Sequence, residues 1–141
     1  MRVSPLFVFL AAFALASLGC DMSARQIQAH TADAIGHAAN SALPILLSHY
    51  RQEGLDAIQA ASTKAEAETE LAAIKSRWEP VWKAWESVRI AQNAWATALE
   101  SGADTAASLS AVRAAYCELQ GVWPSQLAAM PIAPVVCGAA Q

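Results

Sequence analysis

The sequence predicts an all-α protein, a small helical bundle built on a long antiparallel helical hairpin and followed by a proline-rich C-terminal strap. Hydrophobic residues make up 55% of the 141 residues, and many of them are alanine, which is a strong helix former. No stretch alternates apolar and polar residues with the period of two that is typical of strands. Apolar residues instead recur at steps of three and four along most of the chain, which is the period of a helix.

The first helix is predicted to begin at Asp21 or Ser23, whose side-chain oxygens can accept the free amide hydrogens of a first turn. One face then carries apolar residues at helical spacing: Ile27, Ala34, Ile35, Ala38, Ala42, Ile45 and Leu46. Pro44 lacks an amide hydrogen, which predicts a kink or a break in residues 40–44. Gly54 is typical of a helix end, and residues 55–62 are expected to continue as helix or to form a short connector.

The strongest pattern in the chain defines the first arm of the hairpin. Thr63 and Glu66 have the spacing of a capping box. Nine positions then follow at alternating steps of three and four, as in the a and d positions of a coiled coil: Leu71, Ile74, Trp78, Val81, Trp85, Val88, Gln92, Trp95 and Leu99. Pro80 lies inside this heptad seam, but the seam keeps its phase across it, which favours one continuous, kinked helix. Gln92, the only polar member, is predicted to fix the register.

The second arm follows a short connection. Gly102 is predicted to end the first arm and Asp104 to cap the next helix, in which the same rhythm continues through Leu109, Val112, Tyr116, Leu119 and Trp123. A connection this short requires the two helices to pack antiparallel. Pro124 stops the second arm, so the hairpin spans residues 63–123 and the strap, with three prolines, spans residues 124–141.

The N-terminal residues have the layout of a secretory signal. Arg2 precedes an uncharged apolar run over residues 5–18, and small residues follow. The run is shorter than the roughly 20 apolar residues that span a bilayer. It closes with Gly19 and Cys20, which resembles the lipobox of bacterial lipoproteins; Ser17 and Leu18 stand in swapped order relative to that motif.

The resemblance implies a signal peptide over residues 1–19, a diacylglyceryl group on the Cys20 sulfur, cleavage before Cys20 and acylation of the new amino end with a fatty acid such as palmitate. Two or more acyl chains hold a protein stably at a bilayer. Residues 20–141 would then form a single helical domain in the cell envelope, anchored by lipid and facing the periplasm. The alternatives are a plain secretory signal with an incidental cysteine and an uncleaved membrane anchor.

The other two cysteines, Cys117 and Cys137, form an even pair in a chain with the features of export, and this favours a disulfide between them. The alternative is two unrelated buried thiols. The formal net charge is −3, and Lys and Arg form no cluster along the chain. This distribution argues against nucleic-acid binding, which needs clustered positive charge.

Two sets of residues are candidates for binding. Four of the five tryptophans fall within residues 78–95; Trp78, Trp85 and Trp95 lie on the seam and are expected in the core, whereas Trp82 lies one step off it and is the candidate for contact with a partner. His30, Asp33 and His37 can share one helix face and are weak candidates for a metal site. A straight helix separates the first and last of these by about 10 Å, which strains joint binding of one ion.

No motif for a haem, a phosphate loop, a nucleophile elbow or a zinc protease is present in the sequence. We therefore expect a protein without a cofactor that is not an enzyme and that acts as an interaction or scaffold module. It would contact the membrane through its lipid and bind a partner helix or a second copy of itself. The alternatives are a phage-encoded envelope lipoprotein, acting in lysis or superinfection exclusion, and a carrier of a metal or small ligand.

Overall fold

The computed structural model describes residues 23–127 and 136–137. These residues form three helices and no strand: α1 (Ala24–Ala60), α2 (Lys64–Glu100) and α3 (Ala106–Gly121). All three pack against one another, so the predicted all-α bundle is confirmed. The predicted signal peptide, Cys20 and Asp21 lie outside the described residues, as do residues 128–135 and 138–141 of the predicted strap.

Helix α1 is capped at its N-terminus by Ser23, one of the two predicted caps. The Ser23 hydroxyl accepts a hydrogen bond from the Gln26 amide, and the Gln26 side chain accepts one from the Ser23 amide, which completes a capping box. The helix passes through Pro44 without a break. Of the two alternatives predicted for residues 55–62, continuation as helix is confirmed as far as Ala60, so the helix does not end at Gly54.

Helix α2 is capped at its N-terminus by Thr63, whose hydroxyl accepts a hydrogen bond from the Glu66 amide. The Glu66 carboxylate accepts its hydrogen bond from the Ser62 amide, one residue earlier than the predicted capping box requires. The helix runs through Pro80 to Glu100 as one element, which confirms the prediction of a continuous helix.

The turn between α2 and α3 is a Schellman motif. Gly102 has a positive φ of 71°, its amide donates to the Leu99 carbonyl, and the Ala103 amide donates to the Ala98 carbonyl. Glycine suits this left-handed position because it has no Cβ. Asp104 then accepts a hydrogen bond from the Ala106 amide at the start of α3. This turn brings the two arms of the predicted hairpin together.

The heptad seam supplies much of the core. Ile74, Trp78, Val81 and Val88 are buried, and the other five seam positions are half-buried. Two further faces complete the core, and their buried residues are Ile35, Ala38, Ala39 and Leu46 on α1, and Val112, Ala115, Tyr116 and Leu119 on α3. The polar seam residue Gln92 lies against a glycine, since a Cβ on Gly36 would be 2.6 Å from its amide nitrogen.

Helix α1 packs along both arms of the hairpin. At its beginning, the Arg25 guanidinium donates to the Leu99 carbonyl at 3.2 Å, and Thr105 donates to the Gln28 side chain at 2.6 Å. Farther along, the Trp85 indole nitrogen lies 3.4 Å from the Ala39 carbonyl that accepts its hydrogen bond. Helix α1 is therefore antiparallel to α2, with its end beside the beginning of α2.

Candidate binding groove

An apolar groove of about 620 Å³ lies between the last turns of α1 and the first turns of α2. Its apolar lining comprises Tyr50, Leu55, Ile58, Leu71, Ala72 and Ile74, with Gly54 between them. Two cationic side chains, Arg51 and Lys75, complete the lining. A mostly apolar concavity with a few polar groups is the usual character of a ligand site.

Helix α3 is shorter than the two helices on which it packs, and it does not extend to the groove. Helix α3 ends at Gly121, where Glu118 and Val122 lie beside Glu79 and Pro80 in the middle of α2. No residue of α3 or of residues 122–127 lines the groove. Two large apolar side chains of the lining are accessible, Leu55 at 52% and Ile58 at 51% exposure.

The groove adjoins an aromatic cluster at one end. Tyr50, which lines the groove, makes edge-to-face contacts with Trp78 at 5.5 Å and with Trp82 at 5.7 Å between ring centroids. Trp78 and Trp82 are stacked at 5.4 Å. Offset-stacked and edge-to-face pairs of this kind are favourable ring arrangements. The cluster therefore packs behind Tyr50 at one end of the groove.

Trp82, the predicted contact residue, is half-buried and packs against the core. Of the tryptophans predicted to be in the core, Trp78 is fully buried, whereas Trp85 and Trp95 are half-buried. Trp82 reaches the groove only through Tyr50. Its role in binding a partner stays a prediction.

The Glu53 carboxylate contacts the aromatic cluster through Trp78. The Trp78 indole nitrogen donates to its carboxylate at 2.8 Å, and Arg77 forms an ion pair with it at 3.4 Å. The His49 Nε2 atom lies 3.4 Å from the same carboxylate, outside hydrogen-bonding geometry, and its ring is tilted against Trp78. This network fixes Trp78, which is one reason why the hairpin and α1 meet in a single register.

Charged pairs on the surface of α2 shift the pKa of two glutamates. The hydrogen bond from Lys83, together with its charge, lowers the pKa of Glu79, and Lys75 adds a smaller contribution. The hydrogen bond from Arg89 likewise lowers the pKa of Glu86. In the core, burial raises the pKa of Tyr116. None of these groups lines the groove except Lys75.

The three predicted metal ligands do not form a metal site with other side chains of the described residues. His30, Asp33 and His37 are all exposed on α1. Within residues 23–127 and 136–137, no group of three His, Cys, Asp or Glu side chains is close enough to hold a metal ion.

The disulfide between Cys117 and Cys137 is confirmed, with the two Cα atoms 5.5 Å apart. It ties the strap to α3. Near its start, the strap contributes Pro124, Ser125 and Gln126 to a second, smaller cavity beside Trp78, separate from the groove.

The groove itself was not predicted from the sequence. A signal for it exists, because Leu55 and Ile58 are apolar at helical spacing beyond the expected end of the first helix. Their partners Leu71 and Ile74 begin the heptad seam, ahead of any residue that the shorter α3 can reach.

Comparisons with protein-family models, with curated proteins and with solved structures give no match to this chain. Among the described helices, none is both long and apolar enough to cross a bilayer.

Proposed function

We propose that this protein is a lipid-anchored helical module, held at the periplasmic face of a membrane through Cys20, that acts by binding rather than by catalysis. The observation that carries the binding role is the apolar groove, which exposes Leu55 and Ile58 at an end of the bundle that α3 leaves uncovered. Isolated apolar residues are common on protein surfaces, but a concave set of them marks a site of interaction.

The spacing between the anchor and the groove supports this proposal. Helix α1 begins at Ala24, four residues after Cys20. Tyr50, at the near end of the groove, follows 27 residues after Ser23, which corresponds to about 40 Å of helix. An anchored chain would thus carry its binding surface on the same continuous helix that starts at the membrane.

Metabolic labelling with radioactive palmitate tests the anchor. We expect label and membrane association in the wild-type protein and loss of both in Cys20→Ser, because that sulfur and the amino group beside it would carry the acyl chains. The matched control is the double variant Cys117→Ser/Cys137→Ser, which removes the other two thiols and should keep its label. Equal labelling of wild type and Cys20→Ser would refute the anchor.

A further inference from the structure

The charges around the groove indicate what it binds. Arg51 and Lys75 line it from opposite helices, and its lining contains no Asp or Glu. Among the described residues, neither cation forms an ion pair, whereas Lys64, Arg77, Lys83 and Arg89 each do. Lys75 interacts with Glu79, which lies outside the groove, only through its charge. Two cations without a close ion pair beside an apolar concavity are complementary to a ligand that is apolar along its body and anionic at one end.

The size of the groove favours a small ligand over a protein. Its volume of about 620 Å³ lies within the ~300–1,000 Å³ that is typical of small-molecule sites. Along α1 it extends from Tyr50 to Ile58, about 12 Å of helix. A stable protein–protein interface needs about 20–30 residues on each side, and the groove offers far fewer.

We propose that the groove binds a free long-chain carboxylate, a fatty-acid anion, with its acyl chain against Leu55, Ile58 and Leu71 and its carboxylate beside Arg51 and Lys75. This inference deepens the proposed binding role and rests on it. A free acid is favoured over a lipid within the bilayer because the groove begins about 40 Å along α1 from Ser23, at the end remote from the anchor.

Calorimetric titration with dodecanoate tests the proposal. The full chain carrying Cys20→Ser, purified without detergent, is the reference, so the result does not depend on acylation and a failed anchor cannot be mistaken for a failed ligand. We expect saturable binding of dodecanoate and at least tenfold weaker binding of dodecanol, which has the same chain length without the charge. Absence of binding, or equal affinity for both, would overturn the proposal.

Matched variants locate the site. Ile58→Ser should weaken dodecanoate binding at least tenfold, whereas Ile90→Ser, at a similarly exposed isoleucine outside the groove, should leave it unchanged. The pair Arg51→Ala/Lys75→Ala should weaken binding of dodecanoate but not of dodecanol, and Arg113→Ala is the control for loss of a cation elsewhere. Circular dichroism checks that each variant keeps its helicity. Equal affinity of Ile58→Ser and Ile90→Ser would overturn the assignment.

Two further measurements test whether the groove binds a bilayer lipid or a second copy of the chain instead of a free fatty-acid anion. Flotation with vesicles of phosphatidylcholine and phosphatidylglycerol asks whether the same chain binds bilayer lipid through Arg51 and Lys75. Sedimentation velocity asks whether two copies associate through Ile58. We expect no difference between reference and groove variants in either measurement; a difference in either would replace the proposed ligand with a membrane surface or a second copy.

Discussion

The two ends of the α1–α2 pair are built from similar sequence but have different surroundings. At the covered end, α3 packs on both helices, and α1 residues such as Ile35 and Leu46 are fully buried. At the open end, which comprises residues 47–60 and 64–73, no residue is buried. The heptad seam runs through both ends, and α3 accounts for the difference.

This difference shows that burial in a helical bundle depends on the number of helices present at each level. Two helices can bury one stripe of side chains between them but leave the flanks of that stripe accessible. Leu71 belongs to the seam and is only half-buried, whereas Val88, five seam positions later, is 1% exposed. Stability is therefore concentrated at the covered end, and the surface available for binding at the open end.

The largest expected contrast comes from placing a charge at each end. Val88→Asp should destabilise the fold by about 4 kcal/mol, because it buries a carboxylate that has no partner. Leu55→Asp should change the free energy of unfolding by no more than about 0.5 kcal/mol, because its side chain is half exposed. Urea unfolding followed by circular dichroism measures both, and equal midpoints for the two variants would contradict the contrast.

An intermediate effect is expected from the disulfide, which strengthens the covered end. Cys117 and Cys137 are 20 residues apart, and closing a loop of that length stabilises a fold by about 3 kcal/mol. Dithiothreitol should therefore lower the Tm of the wild-type protein. The double variant Cys117→Ser/Cys137→Ser serves as the control, since its Tm should be low already and insensitive to the reductant; a further fall in that variant would show that the reductant acts elsewhere.

The smallest expected effect compares two glycines of α1. Gly54→Ala should raise stability by up to about 1 kcal/mol, because alanine is the better helix former and its Cβ would meet Leu71 at an ordinary 3.6 Å. At the covered end, Gly36→Ala should gain less, because its Cβ would be 2.6 Å from the Gln92 amide nitrogen and the Gln92 side chain would have to move. Thermal unfolding measures both changes.

A double variant sharpens this comparison. In a Gln92→Ala background the obstruction is gone, and Gly36→Ala should then recover the gain of about 1 kcal/mol. If Gly36→Ala stabilises the wild type as much as Gly54→Ala does, the close contact between Gly36 and Gln92 does not constrain the bundle.

Much of the fold could be predicted from the sequence because the heptad seam is a long, regular signal. The seam indicated the continuity of α2 through Pro80, and the short Gly102 connection indicated the antiparallel arrangement of α3. The length of α1 was harder to predict. Pro44 is exposed, between the buried residues Ala42 and Leu46, so packing on both sides keeps the helix intact. Gly54 lies close to Leu71 across the helix pair, and the helix continues past it.

The candidate site could not be predicted in the same way. Periodicity shows which face of a helix is apolar, but not how far a neighbouring helix extends along it. Ala84 lies off the seam and is nevertheless buried, whereas Leu55 is apolar and exposed. The predicted contact residue, Trp82, is aromatic, whereas the exposed apolar residues at the groove, Leu55 and Ile58, are aliphatic.

The arrangement of the three helices also has a consequence for the order of assembly. Each helix is joined to the next by a short connection, so most of the contacts form between neighbours in the chain, which is the property of rapidly folding proteins. Cys137 comes near the end of the sequence, 20 residues after its disulfide partner Cys117. Oxidation, which takes seconds or longer, should therefore follow collapse of the bundle and link the strap to an α3 that is already packed.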